Sequence, residues 1–430
     1  MDGVEAQQGS SDAAHMGTAI AAAPPERVNP WSPLKVPLFR GLWIASLVSN
    51  VGTYMHTVAA GWAATDLTDS PALISLVQTA WAVPGFLLAL IAGALADVLD
   101  RRRVMLVTQV LAMALAATLG VLDVVGVLQM PLLLLFTFLL SVVLTIAAPA
   151  FMAVTPELVG PEELPQALGL NAISTNLAQS LGPAVAGGVI ALAGTQAVFF
   201  VNALSFLGIV FVVRSYRPER ARAADPEPMG AAMRTGVRYV RDSPRLRVLA
   251  IRMLLTMTVT SALVALLPVV ARSRLDVSGG EFGVLSAAVG VGALAAVWLL
   301  PHLSRRVAPD ALVLIAAVTW GVGVVLVAAT TALAMAMAGL LFVGAGLMVT
   351  VNVLFATYTL LLPSWVRGRA SSVAMLTVWL GTSIGATAWG ALAGAAGVRT
   401  ALLVAAATHV AVTALGGLVL PIGDRRQARA

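Results

Sequence analysis

Twelve apolar runs, most close to the length that crosses a bilayer as a helix, constrain this chain more than any other feature. They occupy residues 42–65, 73–95, 104–125, 132–152, 166–192, 198–213, 248–270, 282–303, 311–329, 333–361, 371–393 and 400–420. About 20 consecutive apolar residues span a hydrocarbon core. In lipid a helix satisfies its own backbone hydrogen bonds, so a helical bundle is the natural solution. Barrel strands are shorter and alternate polar with apolar residues, and these runs do not. The 430 residues are 59% hydrophobic and 11% charged, whereas a soluble chain carries roughly a quarter charged residues. The expected fold class is all-α: a polytopic membrane protein of twelve transmembrane helices.

The 26 basic residues give the runs a direction. Lys35, Arg40, Arg101, Arg102, Arg103, the cluster from Arg214 to Arg247, Arg305, Arg306, Arg367, Arg369, Arg425, Arg426 and Arg429 fall in every second gap. Only Arg272, Arg274 and Arg399 fall in the other gaps. Cytoplasmic flanks retain Lys and Arg, so the first set faces inward and both termini are cytoplasmic. The expected address is a bacterial inner (plasma) membrane, with the bilayer as a partner and a monomer as the assembly. The pI near 10.6 does not indicate nucleic acid, because the basic residues follow topology and form no stripe with interleaved aromatics. With no cysteine, disulfides and thiolate metal sites are excluded. No His/Asp/Glu set has metal-ligand spacing, and no nucleophile–base pair or cofactor motif stands out. The expectation is no enzyme, no metal and no cofactor.

The chain divides into a disordered cytoplasmic tail (1–35, broken by Pro24, Pro25, Pro30 and Pro33), a six-helix bundle (36–213), a cytoplasmic linker (214–247), a second six-helix bundle (248–421) and a short cytoplasmic tail (422–430). In the linker Met233, Val237 and Val240 share one helical face, and Arg234, Arg238 and Arg241 another. This suits an amphipathic helix on the inner leaflet, or equally a solvated linker helix.

A shift of 203 residues aligns the two bundles. Gly182 meets Gly385, Gly187 meets Gly390, Gly194 meets Gly397, Ser180 meets Ser383, and Arg102 and Arg103 meet Arg305 and Arg306. Six crossings per repeat preserve orientation, so the repeats are parallel, related by an axis along the membrane normal.

After the second run comes a tight charged turn with Gly93, Leu95, Ala96, Asp97, Arg101 and Arg102. These residues resemble the signature of the major facilitator superfamily between spans two and three, with Val98 for a usual Arg and Asp100 for a usual Gly. The Asp-Arg-Arg ending is similar to a branch of exporters that includes the enterobactin exporter, and residues 155–159, 161–164, 239–245 and 366–369 add further echoes. The resemblance implies that Gly93, Asp97, Arg101, Arg102, Arg367 and Arg369 form a latch joining the cytoplasmic sides of the two bundles. It also implies that spans one, four, seven and ten line a central cavity. There the candidate cargo residues are Asn50, Tyr54, His56, Phe138, Ser141, Thr145, Met257, Thr260 and Asn352, with Asn176 from span five. Gly182, Pro183, Gly187, Gly385 and Gly390 are candidates for helix packing or hinging. Gly182, Pro183, Gly187 and Gly188 resemble an antiporter signature, with one extra residue before the paired glycines.

Charge inside the runs is scarce. His56, Asp66 and Asp123 are the candidates for proton coupling, since an intramembrane ionisable group is costly. For His56 the alternative is a neutral, structurally bonded histidine. A weakly polar lining with flexible methionines suits an amphipathic organic molecule of modest charge. The expected function is an alternating-access exporter of a small molecule such as a siderophore, antibiotic or other secondary metabolite, coupled to protons. The alternatives are a nutrient symporter and a non-transporting receptor or scaffold on the same fold.

Overall fold

The computed structural model describes residues 29–98, 100–216, 229–363, 365–419 and 421–422, with the side chains of 89–90, 92–98 and 229–233 outside that description. Of the expected tails at 1–35 and 422–430, residues 1–28 and 423–430 lie outside it too. Twelve helices follow: α1 (Pro37–Leu67), α2 (Pro71–Val98), α3 (Arg101–Val124), α4 (Met130–Leu158), α5 (Leu164–Ser215), α6 (Met229–Asp242), α7 (Pro244–Ser273), α8 (Gly279–Leu303), α9 (Pro309–Ala329), α10 (Leu333–Leu360), α11 (Arg367–Ala396) and α12 (Val398–Val419).

The sequence marks many of the starts. Proline stands in the first turn of α1, α4, α5, α7 and α9, where its fixed φ suits a helix and its missing N–H costs nothing. Asp100, standing where the resembled family has glycine, caps α3 by accepting a hydrogen bond from the Arg103 amide at 2.9 Å. Ser278 and Glu281 form a reciprocal capping box at the start of α8, as the Ser-x-x-Glu spacing allows.

Ten of these helices are long and apolar enough to cross a membrane. One of them, α5, is 52 residues long and bends at Gly194 (φ 76°, ψ 178°). Its two arms, 164–193 and 195–215, make two crossings. With the 31 residues of α1, twelve crossings result. The expected loop at 193–197 is therefore absent; one glycine with positive φ makes the break. Gly397 (φ 86°) does the same between α11 and α12, 203 residues later. A side chain at either position would be strained, so only glycine turns the chain there without a loop.

Helices α1–α5 form one bundle and α7–α12 the other. Within the first, α1 packs along α5, α3 against α5, and α2 against α4; within the second, α9 packs with α10, α7 with α11, and α8 with α10. Phe199 and Phe206 fill the first interior, Trp320 and Tyr358 the second. Val107 and Leu111 on α3, with Ile315, Val318, Val322 and Val325 on α9, stand exposed, an apolar outer surface suited to lipid tails.

The linker helix α6 leans on the second bundle. Gly236 lies against the Arg369 backbone, Val240 is buried, and Tyr239 meets Trp365 edge-on with ring centroids 5.6 Å apart. Val237 is exposed, although the sequence placed it on one face with Val240. Val240 is thus covered by protein while Val237 is left open.

Candidate functional site: the seam between the bundles

The glycines sort into two kinds. A Cβ on Gly182 would fall 2.5 Å from the Tyr54 Cβ of α1, and a Cβ on Gly385 would fall onto the Thr258 carbonyl and Ser261 hydroxyl of α7. Both are close helix crossings inside one bundle. Gly187 instead faces Gly283 of α8, and Gly390 faces Ser75 of α2. Both are crossings between bundles. The α5/α8 crossing continues at Ser180, whose hydroxyl donates to the Gly290 carbonyl at 3.3 Å. The α2/α11 crossing continues at Thr79 and Thr387, whose hydroxyls are 3.0 Å apart, and at Gly85, which lies under the Trp379 ring. Small residues let these backbones approach closely. Pro183 is buried beside this crossing, its carbonyl near Gly283.

The seam is sealed toward the end that carries Asp66. Gly61 of α1 meets Pro268 of α7. Arg272 of α7 donates to the Asp66 carboxylate at 3.1 Å, and its guanidinium sits 5.4 Å from the Trp62 ring centroid. Trp62 in turn stacks on Phe282 of α8 at 5.1 Å. Above this seal opens a polar cavity of about 690 Å³, lined in part by Asp66, Asp123, Thr195, Gln196, Arg272 and Ser278. Asp123 accepts a hydrogen bond from Thr195 at 2.6 Å, which ties α3 to the arm of α5 that starts after Gly194. Asp66 and Asp123, two of the expected coupling residues, thus share this vestibule.

At the opposite end Arg101, Arg102 and Arg367 make contacts inside their own bundles. Arg101 pairs with Glu157 of α4, and the Tyr216 hydroxyl donates to the same carboxylate. Burial raises the Tyr216 hydroxyl above its ordinary pKa, Arg101 draws it back and Asp100 adds to the rise; the phenol stays a donor. Arg102 donates to the Val213 and Arg214 carbonyls at 3.2 and 2.7 Å. Arg367 donates to the Leu362 carbonyl at 3.4 Å, and the Arg369 backbone packs on Gly236. Arg101 and Arg102 therefore brace the first bundle instead of bridging to α11. The side chains of Gly93 and Asp97 lie outside the described residues.

Of the expected cavity residues, Asn50, Tyr54, Phe138, Thr145, Asn176, Met257 and Asn352 are half-buried, while Ser141 and Thr260 are buried. Ser141 donates to the Trp81 carbonyl of α2 at 2.6 Å, and Thr260 to the Thr256 carbonyl of its own helix at 2.8 Å. His56 does not belong with them. It is 1% exposed, packs on Phe199 at 5.0 Å, and its ring nitrogens have no partner among the described residues. The reason is helical: at 3.6 residues per turn, positions 54 and 56 point to nearly opposite sides.

Sequence reasoning passed over one buried ion pair. Arg252 of α7, 6% exposed, donates to Asp310 in the first turn of α9 at 2.6 Å. The other Asp310 oxygen accepts from the Ile422 amide at 2.8 Å, which pins the segment after α12. A lone arginine in an apolar run was the available signal.

A family profile described as "Transmembrane secretion effector" matches residues 28–428. Among curated proteins, the chain is 27% identical over 226 residues to the uncharacterised MFS-type transporter YfiS of Bacillus subtilis (strain 168), covering 50% of this chain and 53% of that protein. It is 20% identical to the staphyloferrin A transporter of Staphylococcus aureus, covering 61% and 66%. It is 26% identical to the enterobactin exporter EntS of Shigella boydii, covering 65% and 67%. The chain spans about half the length of the first of these relatives. Among solved structures it resembles a bacterial homologue of the human lysosomal transporter Spinster in an inward-facing, occupied conformation, with TM-score 0.73, 14% identity, and coverage of 90% and 97%. A bacterial ferroportin homologue in the inward-facing state gives TM-score 0.65 at 18% identity, covering 88% and 98%. Two parallel six-helix bundles meeting along a glycine-lined seam, with a family match over nearly the whole length, place this chain among multi-pass membrane transporters: it belongs to the transmembrane secretion effector family of the major facilitator superfamily.

Proposed function

We propose that the protein exports an amphipathic small molecule, a siderophore or similar secondary metabolite, across a bacterial inner membrane by proton-coupled alternating access. The seam is the observation that carries this reading. The two bundles touch through small residues and are sealed at the Asp66 end, while Arg101 and Arg102 at the other end bond within their own bundle. A seam of this kind suits rocking of one bundle against the other. The distribution of basic residues favours a cytoplasmic Arg101 end, and a seam sealed at the Asp66 end suits receipt of cargo from inside. The half-buried Asn50, Tyr54, Met257 and Asn352 offer hydrogen bonds and a soft sulfur surface without a cationic clamp. Two of the relatives named above carry siderophores in their names, which sets the cargo class to try first.

The test is efflux of preloaded iron-free catecholate and citrate-type siderophores from cells expressing the protein, with and without a protonophore. Export that stops when the gradient collapses supports the reading. Export that continues unchanged refutes secondary transport, and uptake driven by the gradient refutes the direction.

A further inference from the structure

Asp66 and Arg272 form an ion pair across the seam. They come from different bundles, 206 residues apart in sequence, and meet at the mouth of the vestibule. Each side chain is half-exposed, at 49% and 50%, so water and protons reach the pair from that side alone while the seam below it is shut. Beneath lie the Trp62–Phe282 stack, Ile190 against Gly279, and the Gly187–Gly283 crossing.

We propose that Asp66 is a proton-operated latch facing the outside, and that its protonation releases Arg272 and unlocks the seam at this end. This rests on the reading of the chain as a proton-coupled exporter. The charged groups acting on Asp66 are Arg272 from α7 and Asp123 from α3. Asp69 follows in the connection to α2. Glu281 of α8 turns back onto the Ser278 amide and hydroxyl, both at 2.8 Å. Arg274 donates to the Ala328 carbonyl of its own bundle, and α5 contributes the neutral Gln196 and Thr195. Asp123 adds negative charge near Asp66 and is itself bonded to Thr195, so Arg272 is the one cation joined to Asp66 across the seam. Loss of the Asp66 charge leaves Arg272 attracted to Trp62 alone.

The sign follows directly. Ionised Asp66 holds Arg272 and favours the sealed state. Acid outside neutralises Asp66, removes the cross-seam attraction and favours opening to the acidic side, where an exporter releases cargo. An exposed pair of this kind biases the two states by about two- to fivefold. That modest bias suits a latch that opens in every cycle.

The chain lacks cysteine, so two labels can be placed without removing native thiols. Val127→Cys and Thr331→Cys sit on exposed loops at this end, one on each bundle. Spin labels there report the opening as a distance in full-length protein in lipid nanodiscs, by pulsed electron resonance, from pH 8 to pH 5. The long-distance fraction is expected to grow two- to fivefold toward pH 5. Asp66→Asn is expected to raise it at pH 8 and flatten its pH response. Asp123→Asn is expected to keep the response but move it to lower pH, because the Asp123 charge favours protonated Asp66. The paired exchange Asp66→Arg with Arg272→Asp is expected to restore the sealed state at pH 8. A wild-type pH response that survives in Asp66→Asn overturns the proposal, as does a seam that ignores pH altogether. These distances need no cargo and no gradient, so their outcome is independent of whether the efflux assay supports export.

Discussion

Gly187→Ala separates a seam from an ordinary helix contact. A Cβ at position 187 would fall 2.5 Å from the Gly283 Cα and 2.8 Å from the Gly280 carbonyl oxygen. Carbon atoms rest at about 3.5–4.0 Å, so α5 and α8 must part by about 1 Å. The obstruction is backbone, which cannot rotate away. Overpacking of this kind costs about 1–3 kcal/mol. Alanine also favours helix over glycine by up to about 1 kcal/mol, but equally in both conformations, so it cancels between them. The strain exists only while the bundles touch at this end. The sealed state should therefore lose about 5- to 150-fold in population relative to the open one, with little loss of global stability. Gly385→Ala makes the opposite case. Its clash is with Thr258 and Ser261 of the same bundle, rocking does not relieve it, and it should lower the unfolding temperature without moving the bundles. Gly188, with nothing within 4 Å of its Cβ position, is the control. Distances between labels at 127 and 331, with thermal unfolding of the same samples, read both quantities. If Gly187→Ala and Gly385→Ala both lower the unfolding temperature and neither changes the distances, the division of glycines into seam and scaffold fails.

Two further outcomes follow from buried polar groups. Arg252→Met leaves Asp310 without its buried partner and should cost about 3–5 kcal/mol, with much of the loss recovered by Arg252→Met together with Asp310→Leu; thermal unfolding of the three proteins in detergent checks this, and a double substitution as unstable as the single one would refute it. His56→Phe should keep gradient-driven efflux within about twofold of wild type, because the ring packs on Phe199 and faces away from Tyr54; loss of efflux in a stable, well-inserted protein would return His56 to the coupling pathway.

The scaffold was legible because it depends on local signals. Run length set the crossings, and proline and Ser278–Glu281 set helix starts. The fused α5 was not legible, since a break of a single glycine looks like any glycine in a Gly-rich helix. Asp66–Arg272 and Arg252–Asp310 join residues 206 and 58 positions apart, and only the assembled bundle brings them together.

The 203-residue shift shows why packing was readable and polar contacts were not. Gly182 and Gly385 both pack on the first helix of their own bundle, and Gly187 and Gly390 both face the other bundle, so the backbone crossings repeat in structure as they do in sequence. The ion pairs do not repeat. The shift carries Asp66 onto Val269, Arg272 onto Asp69, Arg252 onto Ser49 and Glu157 onto Leu360. Each bundle keeps the small residues that let helices slide and rock, and the charges then differ between them. A symmetric seam with symmetric charges would favour neither end. The Asp66 end and the Arg101 end are unequal because the ion-paired residues departed from the repeat, although the turn arginines 102 and 103 kept it as 305 and 306.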